Sequence, residues 1–378
     1  MEKQDRIVWI DWLRVIAIFL VMVVHSTEPF YLGGDGSLIL SKTNAFWAAL
    51  FDSLARPCVP LFVIASSYLL FPLHYPTGTF FRKRVVRVLV PFAVWTVFYA
   101  FYQGEPASNF KELLFNFNYS AGHLWFVYML VGIYLLMPLL SPWAEKVGKK
   151  ELSVYLGIWL FTTLIPLVRD WLGAHPLAMT YGPTGIPRPA LYPLWGEASW
   201  NAYGTFYYLS GFIGYMLLGL WLRKFGGELS KGSIISAIGC LAGGFTACFT
   251  GFLRRVNISA NGEFPVGGPI DYGVWWETTL CNDTIGTALM TIGAILLIMR
   301  IKSDGKFYRS LIKPISLASY GMYLGHMVAL AFFYGLFSRI LESAPLTILC
   351  TAAASFTVSA AVAVAVRRIP KFGKIIIG

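Results

Sequence analysis

Residues 9–28 read WIDWLRVIAIFLVMVVHSTE. The stretch is long and apolar enough to cross a bilayer, which takes about 20 residues. It nevertheless carries Asp11, Arg14, His25 and Glu28. A charge at the bilayer centre costs about 2.5–3.5 kcal/mol on insertion scales, so these groups need partners, water or a task. Arg14 and His25 are 11 positions apart; on a helix they fall within about 20° of one stripe and about 16 Å apart along the axis. Asp11, three residues before Arg14, is placed to pair with it. Two readings follow. One is a clamp at the helix mouth with a packed histidine. The other is an anchor and a deep imidazole that share a cavity. Histidine suits the second, because its pKa near neutrality lets it take and return a proton. Glu28, one turn on, either orients that ring or ends the helix in solvent.

The rest of the chain has the same character. Of 378 residues, 57% are hydrophobic and 13% are charged, and the mean hydropathy is +0.63. A soluble domain has about 25% charged residues. The expected fold class is therefore all-α: one polytopic integral-membrane domain over 1–378. Ten spans are expected, at roughly 7–27, 44–70, 84–103, 123–142, 152–168, 203–222, 232–252, 283–300, 314–337 and 344–366. Pro166 interrupts the fifth. No small-residue cleavage site follows the first, which is expected to stay as a signal-anchor. No second domain follows the tenth span, so direct transfer to an acceptor, or transfer through a separate partner, is expected of any group-transfer activity.

The net charge of +11 points first to nucleic acid, but its distribution points to topology. With both termini cytoplasmic, about 21 of the 30 lysines and arginines lie inside and about seven outside, as the positive-inside rule requires. Five cysteines, Cys58, Cys240, Cys248, Cys281 and Cys350, match no metal spacing and read as small core residues. No metal and no nucleic acid are expected; membrane lipids are, and the sequence permits a homo-oligomer.

Four further stretches carry chemistry. In RPCVPLFVIASSYLLF (56–71), Arg56 lies inside a span beside Pro57 and Pro60, which break the helix ladder. Freed backbone there must face protein or a wet cavity, with Ser66 and Ser67 as hydrogen-bonding neighbours. In RKRVVRVLVPF (82–92), Arg82, Lys83, Arg84 and Arg87 enter a span, with Arg84 and Arg87 on one face. Paired guanidiniums suit a phosphate or pyrophosphate, although ordinary anchoring of a helix end explains the same cations. His123 and Trp125 open the fourth span. In SLASYGMYLGHM (316–327), Tyr320, Tyr323 and His326 recur at i+3 steps. Tyr192, Trp195, Trp200, Tyr203, Tyr207, Tyr208, Trp275 and Trp276, in or beside the outer loops, suit either sugar faces or an interfacial belt.

Taken in order, these motifs resemble the membrane acyltransferase 3 family over nearly the whole chain. They are D-W-L-R with His25 after ten further residues, R-x-x-V-P-L-F (Arg56–Phe62), R-x-x-R-x-x-x-P (Arg84, Arg87, Pro91), H-L-W-F (His123–Phe126) and S-Y-x-x-Y-L-x-H (Ser319–His326). The stretch R-R-I-P-x-x-G-K (Arg367–Lys374) resembles the subgroup that O-acetylates N-acetylglucosamine of enterobacterial common antigen. The resemblance implies acetyl-CoA, or another acyl-CoA, as cytoplasmic donor and a cell-surface or lipid-linked glycan as acceptor, in a bacterial inner membrane. It places His25 at the reacting centre, as general base or acyl carrier; Glu28, which no matched family motif requires, and His123, His326 and Tyr323 are candidates to support it. Arg14, Arg82, Lys83, Arg84 and Arg87 would meet the donor. Asp11, Arg56, Ser66, Trp125 and Tyr320 would shape the channel. Ser67 stands where the family usually has glycine, which bears on the channel's width. The competing function is a transporter or exporter of a polysaccharide or lipid-linked sugar, whose path the ionisable groups would line.

Overall fold

Helix α1 runs unbroken from Val8 to Thr27 and ends in a 3-10 turn, Glu28–Phe30. The computed structural model describes residues 6–31, 39–102, 104, 106–108, 119–171, 194–196, 203–227, 230–260, 263–264, 279–370 and 372–378, and the regular structure among them is all helical. After α1 come α2 (Lys42–Ala55), α3 (Cys58–Leu70), α4 (Thr77–Arg84), α5 (Val90–Tyr102), α6 (Trp125–Lys146), α7 (Lys149–Thr162), α8 (Ile165–Trp171), α9 (Phe212–Phe225), α10 (Gly232–Ala260), α11 (Ile285–Ile298), α12 (Lys313–Ile340), α13 (Ala344–Arg367) and α14 (Phe372–Ile377).

Helix α1 is mostly buried even though it carries ionisable groups. It packs against α2, α3, α12 and α13. The apolar window of its span is 61% buried and that of α2–α3 is 72% buried, against 17% for Gly232–Asn257. The opening stretch thus lies inside the bundle, with helices on several sides of it.

Eight helical segments have the length and composition to cross a membrane. The two remaining stretches, 203–222 and 283–300, yield shorter helices among the described residues. Helices α9 and α11 have 14 residues each, a rise of about 21 Å against a hydrocarbon core of about 30 Å. Before α9, Gly211 takes φ +68°, which lets the chain turn out of the 3-10 segment Gly204–Leu209.

The expected breaks are present. Arg56 and Pro57 separate α2 from α3, and Thr163 and Leu164, just before Pro166, separate α7 from α8. Two five-residue π-helical segments among the described residues lie outside the sequence expectation: Val85–Leu89, joining α4 to α5, and Tyr308–Ile312, leading into α12. Each stands just before a proline, Pro91 and Pro314. A proline cannot donate to the carbonyl four residues back, and the helix widens by one residue to bond i→i+5 instead. Val90 N–H bonds to the Val85 carbonyl and Lys313 N–H to that of Tyr308.

Small residues set the close helix contacts, as expected where van der Waals packing drives association. A Cβ on Gly214 of α9 would lie 2.0 Å from the ring of Trp159 on α7, itself buried. Gly214→Val is therefore expected to cost about 1–3 kcal/mol through overpacking, seen as a lowered melting temperature in detergent; an unchanged melting temperature would contradict this packing. Ser67 and Gly219 pair similarly. Ser67 Oγ donates to the Met216 carbonyl at 2.6 Å, and a Cβ on Gly219 would meet that of Ser67 at 2.7 Å. The side chain at 67 thus faces α9 and lines neither of the two cavities described below.

Candidate active site

Four arginines from four segments converge on a cavity of about 690 Å³: Arg14 of α1, Arg84 of α4, Arg87 of the first π segment and Arg367 at the end of α13. Ser66, Tyr134, Ser316, Ser319 and Tyr320 add polar atoms to its wall, and no described carboxylate side chain lines it. The Arg84 guanidinium lies over the rings of Phe80 (5.8 Å) and Tyr134 (5.7 Å), a cation–π arrangement. Its Nε is buried with no hydrogen-bond partner among the described residues. Arg14 and Arg87 likewise lack an ion-pair partner among them. Arg367 spends one donor on the Leu317 carbonyl at 2.5 Å. Guanidiniums gathered without a described acidic side chain are short of side-chain acceptors, and phosphate oxygens supply such acceptors in paired bonds. The π segment is held in place by Tyr320, whose hydroxyl donates to the Val88 carbonyl at 2.8 Å.

A second cavity, of about 540 Å³, lies further along α1 and is lined by His25, Glu28, Arg56, His123, Trp125, Asn282 and Tyr323, with Cys58, Phe212 and Cys281 among the less polar walls. His25 Nδ1 is 2.9 Å from Glu28 Oε2. A carboxylate accepts, so Nδ1 carries a proton, and in the neutral ring Nε2 keeps its lone pair. His326 packs behind, its ring centroid 5.1 Å from that of His25 and 5.1 Å from that of His123. The His326 Nδ1–H donates to the Tyr323 carbonyl at 2.5 Å, and its Nε2 is buried without a partner among the described residues. Tyr323 donates its hydroxyl to the His123 carbonyl, and Tyr99 donates to the Leu324 carbonyl at 2.9 Å, so α5, the 3-10 turn Tyr119–Leu124 before α6 and α12 are tied together beside the histidines.

The structure thus brings His25, Glu28, His123, Tyr323, Arg56 and Trp125 to one cavity, with His326 behind it, and Arg14, Arg84, Arg87, Ser66 and Tyr320 to the other. It corrects one pairing. Asp11 does not pair with Arg14. Its carboxylate accepts from Arg6 (2.5 and 2.7 Å), Tyr308 (2.6 Å) and Ser316 (2.6 Å), because α12 and the π segment before it offer two hydroxyls on the side of α1 that Asp11 occupies. Asp11→Ala would strand those buried hydroxyls at about 1–3 kcal/mol each. It is expected to lower the melting temperature, whereas Arg14→Ala leaves it near wild type; equal effects would remove the distinction. Arg82 and Lys83 do not line the arginine cavity; Lys83 is exposed and sits over the Tyr75 ring at 4.2 Å. Trp195, Tyr207 and Tyr208 are exposed and line neither cavity, and Tyr203 donates its hydroxyl to Asp283. Tyr192, Trp200, Trp275 and Trp276 lie outside the described residues.

Sequence reasoning missed three features. Asp52 pairs with Arg56 one turn on, and the Tyr31 hydroxyl stands 3.5 Å from the same guanidinium; the i,i+4 spacing of 52 and 56 was the available signal. Arg367 reads in the sequence as a positive-inside cation. Residues 372–378 form α14 and its end, wedged against α5, α12 and α13. Trp95 Nε1 donates there to the Ile376 carbonyl at 2.9 Å, and Gly373, Ile377 and Gly378 line the arginine cavity.

Neither a curated protein nor a solved structure matches the chain. A family model does: the acyltransferase domain of the acyltransferase 3 type matches residues 7–364. That span takes in both cavities except Arg367 and the α14 wall. By that match, and by its long apolar helices, this integral membrane protein belongs to the acyltransferase 3 family.

Proposed function

We propose that the protein is an O-acetyltransferase of a bacterial inner membrane. It moves an acyl group from cytoplasmic acyl-CoA to a hydroxyl of a cell-surface or lipid-linked carbohydrate. The observation that carries this reading is the pair of cavities along α1: one rich in arginine, the other holding the His25–Glu28 pair. A donor with a polyphosphate head and a long flexible arm fits the first cavity with its head and the approach to the second with its thioester. Arg84, Arg87 and Arg367 bind phosphate, and Arg14 orients the arm. The acceptor hydroxyl enters the second cavity, where Trp125 offers a face to a sugar ring.

In the transfer step the acceptor oxygen attacks the thioester carbonyl carbon while its proton passes to His25 Nε2. The C–S bond then breaks. The departing thiolate takes the proton from the imidazolium, leaving free CoA and an O-acyl sugar. Glu28 holds Nδ1–H and steadies the cation that forms. The likeness of Arg367–Lys374 to the enterobacterial common antigen subgroup supports an acceptor containing N-acetylglucosamine. The chain acts as a single membrane domain in this reading. Helices α9 and α11 complete ten crossings, with both termini cytoplasmic, in line with the positive-inside bias.

Purified protein given radiolabelled acetyl-CoA and a surface-glycan extract is expected to yield ester-linked label on the glycan and an equal amount of free CoA. Movement of a glycan across vesicles with no acyl transfer would replace this reading with that of an exporter.

A further inference from the structure

Two side chains line both cavities: Phe126 of α6 and Tyr323 of α12. Their ring centroids are 5.2 Å apart at an interplanar angle of 67°, an edge-to-face contact, and both are buried. They form the partition between the arginine-lined and histidine-lined spaces, and whatever moves from one to the other passes them.

The two are held differently. Tyr323 is a fixed post. Its hydroxyl donates to the His123 carbonyl, and its ring lies between those of Tyr320 (6.2 Å, 20°) and His326 (5.7 Å, 29°) in near-parallel stacks. Phe126 has no polar tether. It meets Tyr323 and Trp125 edge-on and Phe62 at a tilt, with centroids 5.2, 6.4 and 6.0 Å away. Turning Phe126 gives up only apolar ring contacts, whereas moving Tyr323 gives up its ring contacts and a buried hydrogen bond as well.

We infer that Phe126 is the moving leaf and Tyr323 the fixed post of a gate through which the acyl thioester reaches His25, and that Phe126 limits the acyl groups transferred to the size of acetyl. This rests on the donor and acceptor assignment of the two cavities. A two-carbon acyl group needs a small rotation of one ring to pass. A longer chain keeps the ring displaced from Phe62 and Trp125 along the chain's whole length, against the close packing of the surrounding wall.

The test is an acyl-CoA series. Wild-type protein is expected to use acetyl-CoA at least about tenfold better than hexanoyl-CoA by kcat/KM. Phe126→Ala is expected to move that ratio at least about tenfold toward hexanoyl-CoA, with Phe126→Leu between them, while titration with free CoA gives the wild-type Kd in both variants. A purely structural role would lower activity with every donor alike. Wild-type preference retained in both variants, or a wild-type enzyme indifferent to chain length, would overturn the gate while leaving the donor assignment standing. A wild-type protein that binds no CoA would instead remove the donor assignment, and the gate with it. Phe126→Leu keeps most of the side-chain volume and serves if the alanine variant fails to fold.

Discussion

His25→Ala is expected to lower the rate of acetyl transfer by about 10²–10⁴-fold, the range a positioned general base supplies, with CoA binding and insertion near wild type. The geometry gives the reason. Glu28 takes the Nδ1 proton at 2.9 Å, which leaves Nε2 as the basic atom of a ring lining the second cavity. His123 and His326, close neighbours in the same cluster, do not substitute. His326 has its Nδ1 committed to a backbone carbonyl and is fully buried behind the others. His123 has its Nε2 turned toward the Leu324 carbonyl at 3.4 Å. Glu28→Gln keeps an acceptor but loses the charge that steadies an imidazolium, so its loss of rate is expected to be smaller than that of His25→Ala. Initial rates with labelled acetyl-CoA, beside a CoA titration of each variant, measure both. Full activity in His25→Ala would end the mechanism. The same assay without acceptor separates the two roles open to His25: an acyl carrier leaves label on the protein, and a general base leaves none.

Removing Arg84 and Arg87 together is expected to raise KM for acetyl-CoA by about 10²-fold or more, with little change in kcat. A hydrogen bond to a charged group is worth about 1.5–3 kcal/mol, and each 1.4 kcal/mol is a factor of about ten. Two such groups bound to the head of the donor, remote from the bond that breaks, act on ground and transition states alike and so appear in KM. Arg367→Ala is expected to have a smaller effect, because that side chain already spends a donor on the Leu317 carbonyl. Lys83→Ala is the control, since its ammonium stands over Tyr75 and lines neither cavity. Donor kinetics of these variants beside wild type read this out. An unchanged KM in the double variant would take the phosphates away from this cavity, and a large effect from Lys83→Ala would return them to the helix surface.

The features that belong to a single helix are legible in the sequence. The apolar runs mark the spans, Arg14 and His25 fall on one stripe of α1, Arg84 and Arg87 fall on one side of the chain, and Pro57 and Pro166 mark breaks. These follow from helix pitch, hydropathy and the missing proline N–H, which are local properties. The π segments are within reach of the same logic, since each precedes a proline, but nothing in the pattern says whether a helix kinks or widens. The short α9 and α11 escape it because hydropathy measures how apolar a stretch is, not where its backbone turns.

The sequence by itself determined an all-helical membrane protein and the depth along α1 that separates Arg14 from His25. Only the tertiary structure decided which groups meet. It gave Asp11 to Arg6, Tyr308 and Ser316 in place of Arg14. It set His326, from the far end of the chain, beside His25, added Arg367 and α14 to the wall of the arginine-lined cavity, and put Phe126 against Tyr323 between the cavities. The physical reason is that one helix's periodicity fixes the angle and height of its own side chains, while the partner facing them depends on how helices distant in sequence rotate and slide to pack their small and large residues.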